Sequence, residues 1–132
     1  MSTSSAIGQL SEAVVTLLQG YDLLTDTIDG MVILPTGVPI PPFVRLGEKT
    51  EKNLRTFSTV GTQASIAIEI AVPGATDDGA MEAYGLIKTL LEAQPLPMVS
   101  RTIVQKDVTL EKTSVDADGV TWRVFARLDA TL

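Results

Sequence analysis

Little in this sequence can do covalent chemistry. Its 132 residues contain no histidine and no cysteine, which removes the commonest general base, the commonest metal ligand and the thiol nucleophile. Serines are plentiful, yet a Ser-His-Asp triad is impossible without histidine and no Ser-x-x-Lys signature occurs. Gly47, Lys49 and Thr50 resemble the end of a phosphate-binding loop, but Glu48 separates the glycine from the lysine and Pro42 stands where the first motif glycine belongs. Asp116, Asp118 and Gly119 resemble part of a calcium loop without its third acidic position or closing glutamate, and read better as a hairpin turn. Asp77 and Asp78 form a carboxylate pair where a helix is expected to begin. Free N–H groups and the helix dipole favour acids there without any catalytic role. No catalytic, cofactor-binding or metal-binding residue is assigned, and the chain reads as a non-enzyme.

What remains is a candidate contact surface. Arg45, Lys49, Lys52 and Arg55 cluster with Glu48 and Glu51, flanked by Phe43 and Phe57. Three readings stay open for this stretch: a solvated loop, a protein–protein contact and a phosphate grip. The wider charge pattern disfavours the last. Formal net charge is −6, and residues 1–44 hold four acids and no Lys or Arg. An acidic protein is repelled by nucleic-acid backbone, although the same charge suits a wall past which DNA slides.

The elements follow from periodicity. Ile7, Leu10, Val14, Leu17 and Leu18 make one apolar face of a helix over residues 6–19. Ser4 or Ser5 can cap its start, and Gly20 suits a left-handed end. A helical turn over 22–28 would bury Leu23, Leu24 and Ile28. Residues 31–34 form a short strand, and the four prolines within 35–42 demand an extended loop. A strand over 43–49 places Phe43 and Arg45 on one face and Val44 and Leu46 on the other. Residues 50–61 read as a long exposed loop or hairpin tip.

The clearest strand is 63–72, where Ala64, Ile66, Ile68, Ile70 and Val72 alternate with polar or small residues. A second helix runs from Asp77 or Asp78 to about Ala93 on a stripe of Ala80, Tyr84, Ile87 and Leu91, widened by Ala83 and Leu90. Gly85 inside it is easiest to accommodate if another backbone packs close. Strands over 99–110 and 120–131 close the chain around the Asp118-Gly119 turn. The first alternates poorly, which points to a bulge or two covered faces. The expected fold is a single α+β domain spanning 1–132: a mainly antiparallel sheet of four to five strands with two main helices on one face.

Apolar residues make up 45% of the chain and mean hydropathy is +0.26, high for 14.0 kDa. A well-filled core explains this as well as two subunit contacts of ~800 Å² each would. The N-terminus lacks a basic segment and a long apolar run, so neither a secretory leader nor a membrane span is expected.

Taken in order along residues 6–130, these features resemble the tail-terminator, or tail-completion, proteins of long-tailed bacteriophages. The resemblance rests on the N-terminal helix and the proline-rich approach Pro39-Ile-Pro-Pro-Phe-Val-Arg-Leu-Gly-Glu48. It rests further on the Thr-rich polar loop, the strand 64–72, the helix ending through Leu90-Leu91-Glu-Ala-Gln-Pro-Leu96, and the aromatic-basic strand Trp122-Arg123-Val-Phe-Ala126. Gly30-Met31-Val32-Ile33 departs from the family's usual basic pair before the first strand. The resemblance implies a structural virion protein at the head–tail junction, assembled in the host cytoplasm. It would form a ring, typically hexameric, that caps the tail tube, ends its polymerisation and joins it to the head or neck. The implied partners are further copies of the chain, the tail tube protein and a neck or head-completion protein. DNA would pass through the lumen without specific binding; no cofactor and no membrane are implied. Other expectations are a different neck or head-completion connector and a non-viral acidic protein-binding module. Phe43, Arg45, Lys49, Lys52, Arg55 and Phe57 are the candidate subunit or tube contacts.

Overall fold

The computed structural model describes residues 6–22, 24, 26, 31–33, 42–55, 60–93 and 105–131. In chain order these form α1 (Ala6–Gln19), β1 (Met31–Ile33), β2 (Phe43–Arg55), β3 (Val60–Pro73), α2 (Asp78–Ala93), β4 (Gln105–Val115) and β5 (Thr121–Thr131). The strands build one five-stranded sheet in the order β1-β2-β3-β5-β4. Every pairing is antiparallel except β1 with β2, which is parallel and joins Met31–Ile33 to Phe43–Arg45. The α+β fold and largely antiparallel sheet are as the sequence predicts. The parallel edge is new, and hydrophobic alternation carries no information on the direction of a three-residue strand.

Alternation along the strands puts Val44, Leu46, Ala64, Ile66, Ile68, Ile70, Val124, Ala126, Leu128 and Ala130 on one face of the sheet. Leu10, Ala13, Val14 and Leu18 of α1 and Ala80, Ala83, Ile87 and Leu91 of α2 close over that face in one core cluster. Full burial of each Leu or Ile contributes about 1.5–3 kcal/mol, so this layer supplies most of the hydrophobic driving force. Leu24 is buried as the sequence predicts, with its N–H donating to the Tyr21 carbonyl at 3.0 Å. Leu23, Ile28, the Ser4 or Ser5 cap and the proline-rich loop lie outside the described residues.

Several expectations need correction. Of the two readings of residues 50–61, loop or hairpin tip, the hairpin holds, but its strands are longer than expected: β2 runs to Arg55 and β3 starts at Val60, paired antiparallel. Thr50, Glu51 and Lys52 are exposed, and the backbone ladder sets the structure of this stretch without an alternating apolar signature. In the same way β4 reaches Val115, beyond the expected limit at residue 110, because β5 offers partners as far as Trp122. The expected irregularity is there, as a register shift between Leu110 and Lys112. Gly20 is not left-handed; its N–H donates to Thr16 O at 3.2 Å, an ordinary helical bond. Gly85 meets no close backbone, for a Cβ built on it finds nothing within 4 Å. At the start of α2 the Asp77 carbonyl accepts from Met81 N–H at 2.9 Å, while the Thr76 hydroxyl accepts from Asp78 N–H at 3.4 Å.

Candidate assembly surface

The face of the sheet opposite the helices carries an ordered row of charge. Register places Phe43 beside Ala71 and Arg123, and Arg45 beside Glu69 and Phe125. Glu69 is only 9% exposed, and a carboxylate so placed needs partners. Arg45 supplies Nε at 2.9 Å and Nη2 at 2.7 Å to Glu69 Oε1. Arg123 Nη1 donates to Oε2 of the same residue. Arg123 then grips Asp116, Nε to Oδ1 at 2.8 Å and Nη2 to Oδ2 at 3.0 Å. Asp116, first, and then Glu69 raise the Arg123 pKa against the lowering effect of burial, so the guanidinium stays charged. Arg45 and Arg123 also lie over the Phe43 ring, each 5.7 Å from its centroid.

Arginine, glutamate, arginine and aspartate thus form a neutral chain across four strand ends, with Phe43 beneath. Sequence reasoning singled out Phe43 and Arg45 but missed Glu69, Asp116 and Arg123. A lone glutamate inside the apolar run 63–72 was the available signal. It became meaningful only when β5 brought Arg123 alongside.

The other candidate contacts are dispersed. The register shift between Leu46 and Lys49 reverses the alternation, so Lys49 pairs with Ile66 and turns to the helix side. There its Nζ donates to Ser11 Oγ of α1 at 3.3 Å. Lys52 is exposed on the hairpin, paired with Gln63. Arg55 closes the β2 ladder opposite Val60, and Phe57 lies outside the described residues. Phe43 itself is 2% exposed, a packing residue of the charged row.

The edges of the sheet complete the surface. At β4, Val108 is held from outside by α2: Lys88 Nζ donates to its carbonyl at 2.6 Å and Glu92 Oε2 accepts from its N–H at 2.9 Å. Lys88 and Glu92 meet each other at 2.7 Å. The hydrogen bond from Lys88, then the one from Val108, lowers the Glu92 pKa. The large apolar residues standing exposed among the described residues are Leu110, midway along β4, and Val115 and Val120, at the turn end of the β4–β5 hairpin.

A depression bounded by Glu48, Thr50, Ser65, Ala67 and Arg127 holds about 40 Å³, against roughly 300 Å³ or more for ligand sites. No group of three or more acidic side chains that could hold a metal occurs among the described residues. No helix there is long and apolar enough to cross a membrane.

A compact sheet with two helices on one face, a charged row on the other and exposed edges defines a class of fold, and comparison with solved structures gives that class relatives. The chain is similar to a component of the virion of a native gene transfer agent particle, with a TM-score of 0.75 at 18% identity over 97% of this chain and 98% of that one. It is also similar to the gp17 protein of bacteriophage SPP1, with a TM-score of 0.60 at 20% identity over 93% and 88% of the two chains. At such identities the likeness is one of fold. No family profile and no curated protein matches the sequence.

Proposed function

We propose that this chain is a structural virion protein that forms a ring, six-fold by the resemblance, which caps the tail tube, ends its growth and joins it to the head or neck. The observation that carries this reading is the end-to-end fold match with a virion component, 97% of one chain against 98% of the other. Supporting it, the conspicuous features of the molecule suit contacts: a charged row, two dissimilar edges and an exposed hairpin end at residues 115–120.

The mechanism is geometric. A head-to-tail contact closes into a ring when its rotation matches the symmetry, and otherwise runs on as a filament. A ring ends tube growth if one of its faces fits the tube and the other does not repeat it. The net charge of −6 would keep a lumen lined by such subunits from holding DNA. The partners on this reading are further copies, the tail tube protein and a neck or head-completion protein, at the head–tail junction of the particle.

Electron microscopy of particles assembled without this protein tests the reading. Overlong or ragged tails are the expected result. Tails of normal length beside leaking heads would replace it with a head-completion connector, and unaltered particles would remove both.

A further inference from the structure

The two edges of the sheet are unlike, and each is open along only part of its length among the described residues. β1 covers β2 at Phe43–Arg45 and leaves residues 46–55 without a strand neighbour on that side. β4 has β5 on one side only, and its other side is occupied at Val108 by Lys88 and Glu92. Those two side chains take the N–H and C=O that an added strand would use, a known way of blunting an edge. Beyond the bulge at Glu111 no such cover occurs among the described residues. Asp116 N–H pairs inward with Thr121 O at 2.9 Å. Antiparallel alternation then turns the N–H and C=O groups of Thr113 and Val115 outward. The exposed Leu110, Val115 and Val120 border this stretch.

We infer that residues 112–115 of β4 receive the stretch of β2 that β1 does not pair with, within residues 46–55, from a second copy of the chain, so that the sheet continues from subunit to subunit. Three features commit the occupant. Strand directions fit: β2 is antiparallel to β3, β3 to β5 and β5 to β4. A neighbour rotated about an axis along the strands therefore offers β2 antiparallel to β4. Charges fit: residues 46–55 carry Lys49, Lys52 and Arg55 against Glu48 and Glu51, a net +1, while residues 110–120 carry Lys112 against Glu111, Asp116 and Asp118, a net −2.

Offset fits as well. Through the ladder Lys112 is level with Arg45 and Val108 with Lys49, so the two open stretches meet only if neighbouring copies are staggered along the strands. Closed sheets tilt their strands by ~35–45°, and with β2 of the next copy following β4 directly each subunit spans four strand spacings of ~4.8 Å, so a tilt of ~40° displaces it by ~16 Å, about five residues. That displacement sets Ser114 near Lys49 and Thr50 of the next copy.

This inference rests on the ring reading, and disulfide trapping separates the two. The chain has no native cysteine, so Ser114→Cys and either Thr50→Cys or Lys52→Cys introduce the only thiols. Within one copy the two positions lie three strand spacings apart, ~14 Å, beyond the ~7 Å Cα separation that a disulfide spans. Mixed single variants, oxidised as purified protein and in assembled particles, should give one-to-one dimers, and the double variant a ladder ending at the ring. Thr113→Pro, which removes one outward N–H, should lower the ring population at least fivefold while the circular dichroism melt stays cooperative. Rings seen by native mass spectrometry that trap through neither pair, or Ser114→Cys chains that dimerise with themselves, would overturn this edge contact and leave the ring standing. A chain that stays monomeric alone and in particles would take both down.

Discussion

Arg123 and Asp116 meet as a two-pronged ion pair, with nitrogen–oxygen distances of 2.8 and 3.0 Å. The pair ties the end of β4 to β5 and holds the same guanidinium against Glu69. Removing Arg123 would leave Glu69 buried with Arg45 as its remaining cation. Arg123→Ala should therefore destabilise by about 2–4 kcal/mol in urea unfolding. Asp116→Asn, at a more exposed position, should cost about 1 kcal/mol or less. The pair Glu69→Leu with Arg123→Met should recover most of the loss. If Arg123→Ala unfolds at the wild-type midpoint, the charged row contributes nothing to stability.

Two glycines of α2 predict unequal responses to the same substitution. Gly85 has open space where a Cβ would go, so Gly85→Ala should stabilise by roughly 1 kcal/mol through helix propensity. At Gly79 the same atom would sit 3.1 Å from Val72 Cγ1, and Gly79→Ala should gain less than Gly85→Ala or lose stability. Paired thermal melts compare them directly; equal shifts would show that the Val72 contact yields freely.

The Asp118 carboxylate accepts from the Thr121 hydroxyl at 2.7 Å and from the Val120 and Thr121 N–H groups at 2.9 Å. The hydroxyl bond first, then the two backbone bonds, lowers its pKa from the usual 3.8. A folded pKa below the unfolded one means the contribution is whole above the unfolded value and fades as pH falls through the folded one. Glu92, lowered from 4.5, has the same sign. Stability should thus decline as pH drops below about 4.5, and Asp118→Asn and Glu92→Gln should each flatten the decline. An unchanged slope in both variants would show that other carboxylates dominate the acid limb.

The clamp on Val108 has a consequence for solution behaviour. Lys88→Ala with Glu92→Ala should lengthen the open edge of β4 and promote irregular association. Light scattering at matched concentration should show larger, more heterogeneous species than wild type. A variant that stays as monodisperse as the parent would mean the side chains contribute only local hydrogen bonds.

Wherever a face is buried, composition alone located the element. The stripes of α1 and α2 and the alternation at Ala64, Ile66, Ile68 and Ile70 were legible because one apolar side must meet a core. The polar ends of β2, β3 and β4 were not, since strands held by backbone ladders in solvent carry no such periodicity. Phe43 and Arg45 could be picked out as a pair, but Glu69 and Asp116 could not be joined to them. Lys49 sits on the helix side because a bulge reversed it.

From its residue types the chain was bound to lack histidine and thiol chemistry, to be acidic, and to fold as helices over a sheet. Tertiary structure alone decided the rest. It placed Arg123 within reach of a carboxylate 54 positions away, and it closed one part of the β4 edge while leaving another open. Both outcomes depend on strand order and register, which arise from pairing between distant segments and are written in no local stretch of sequence.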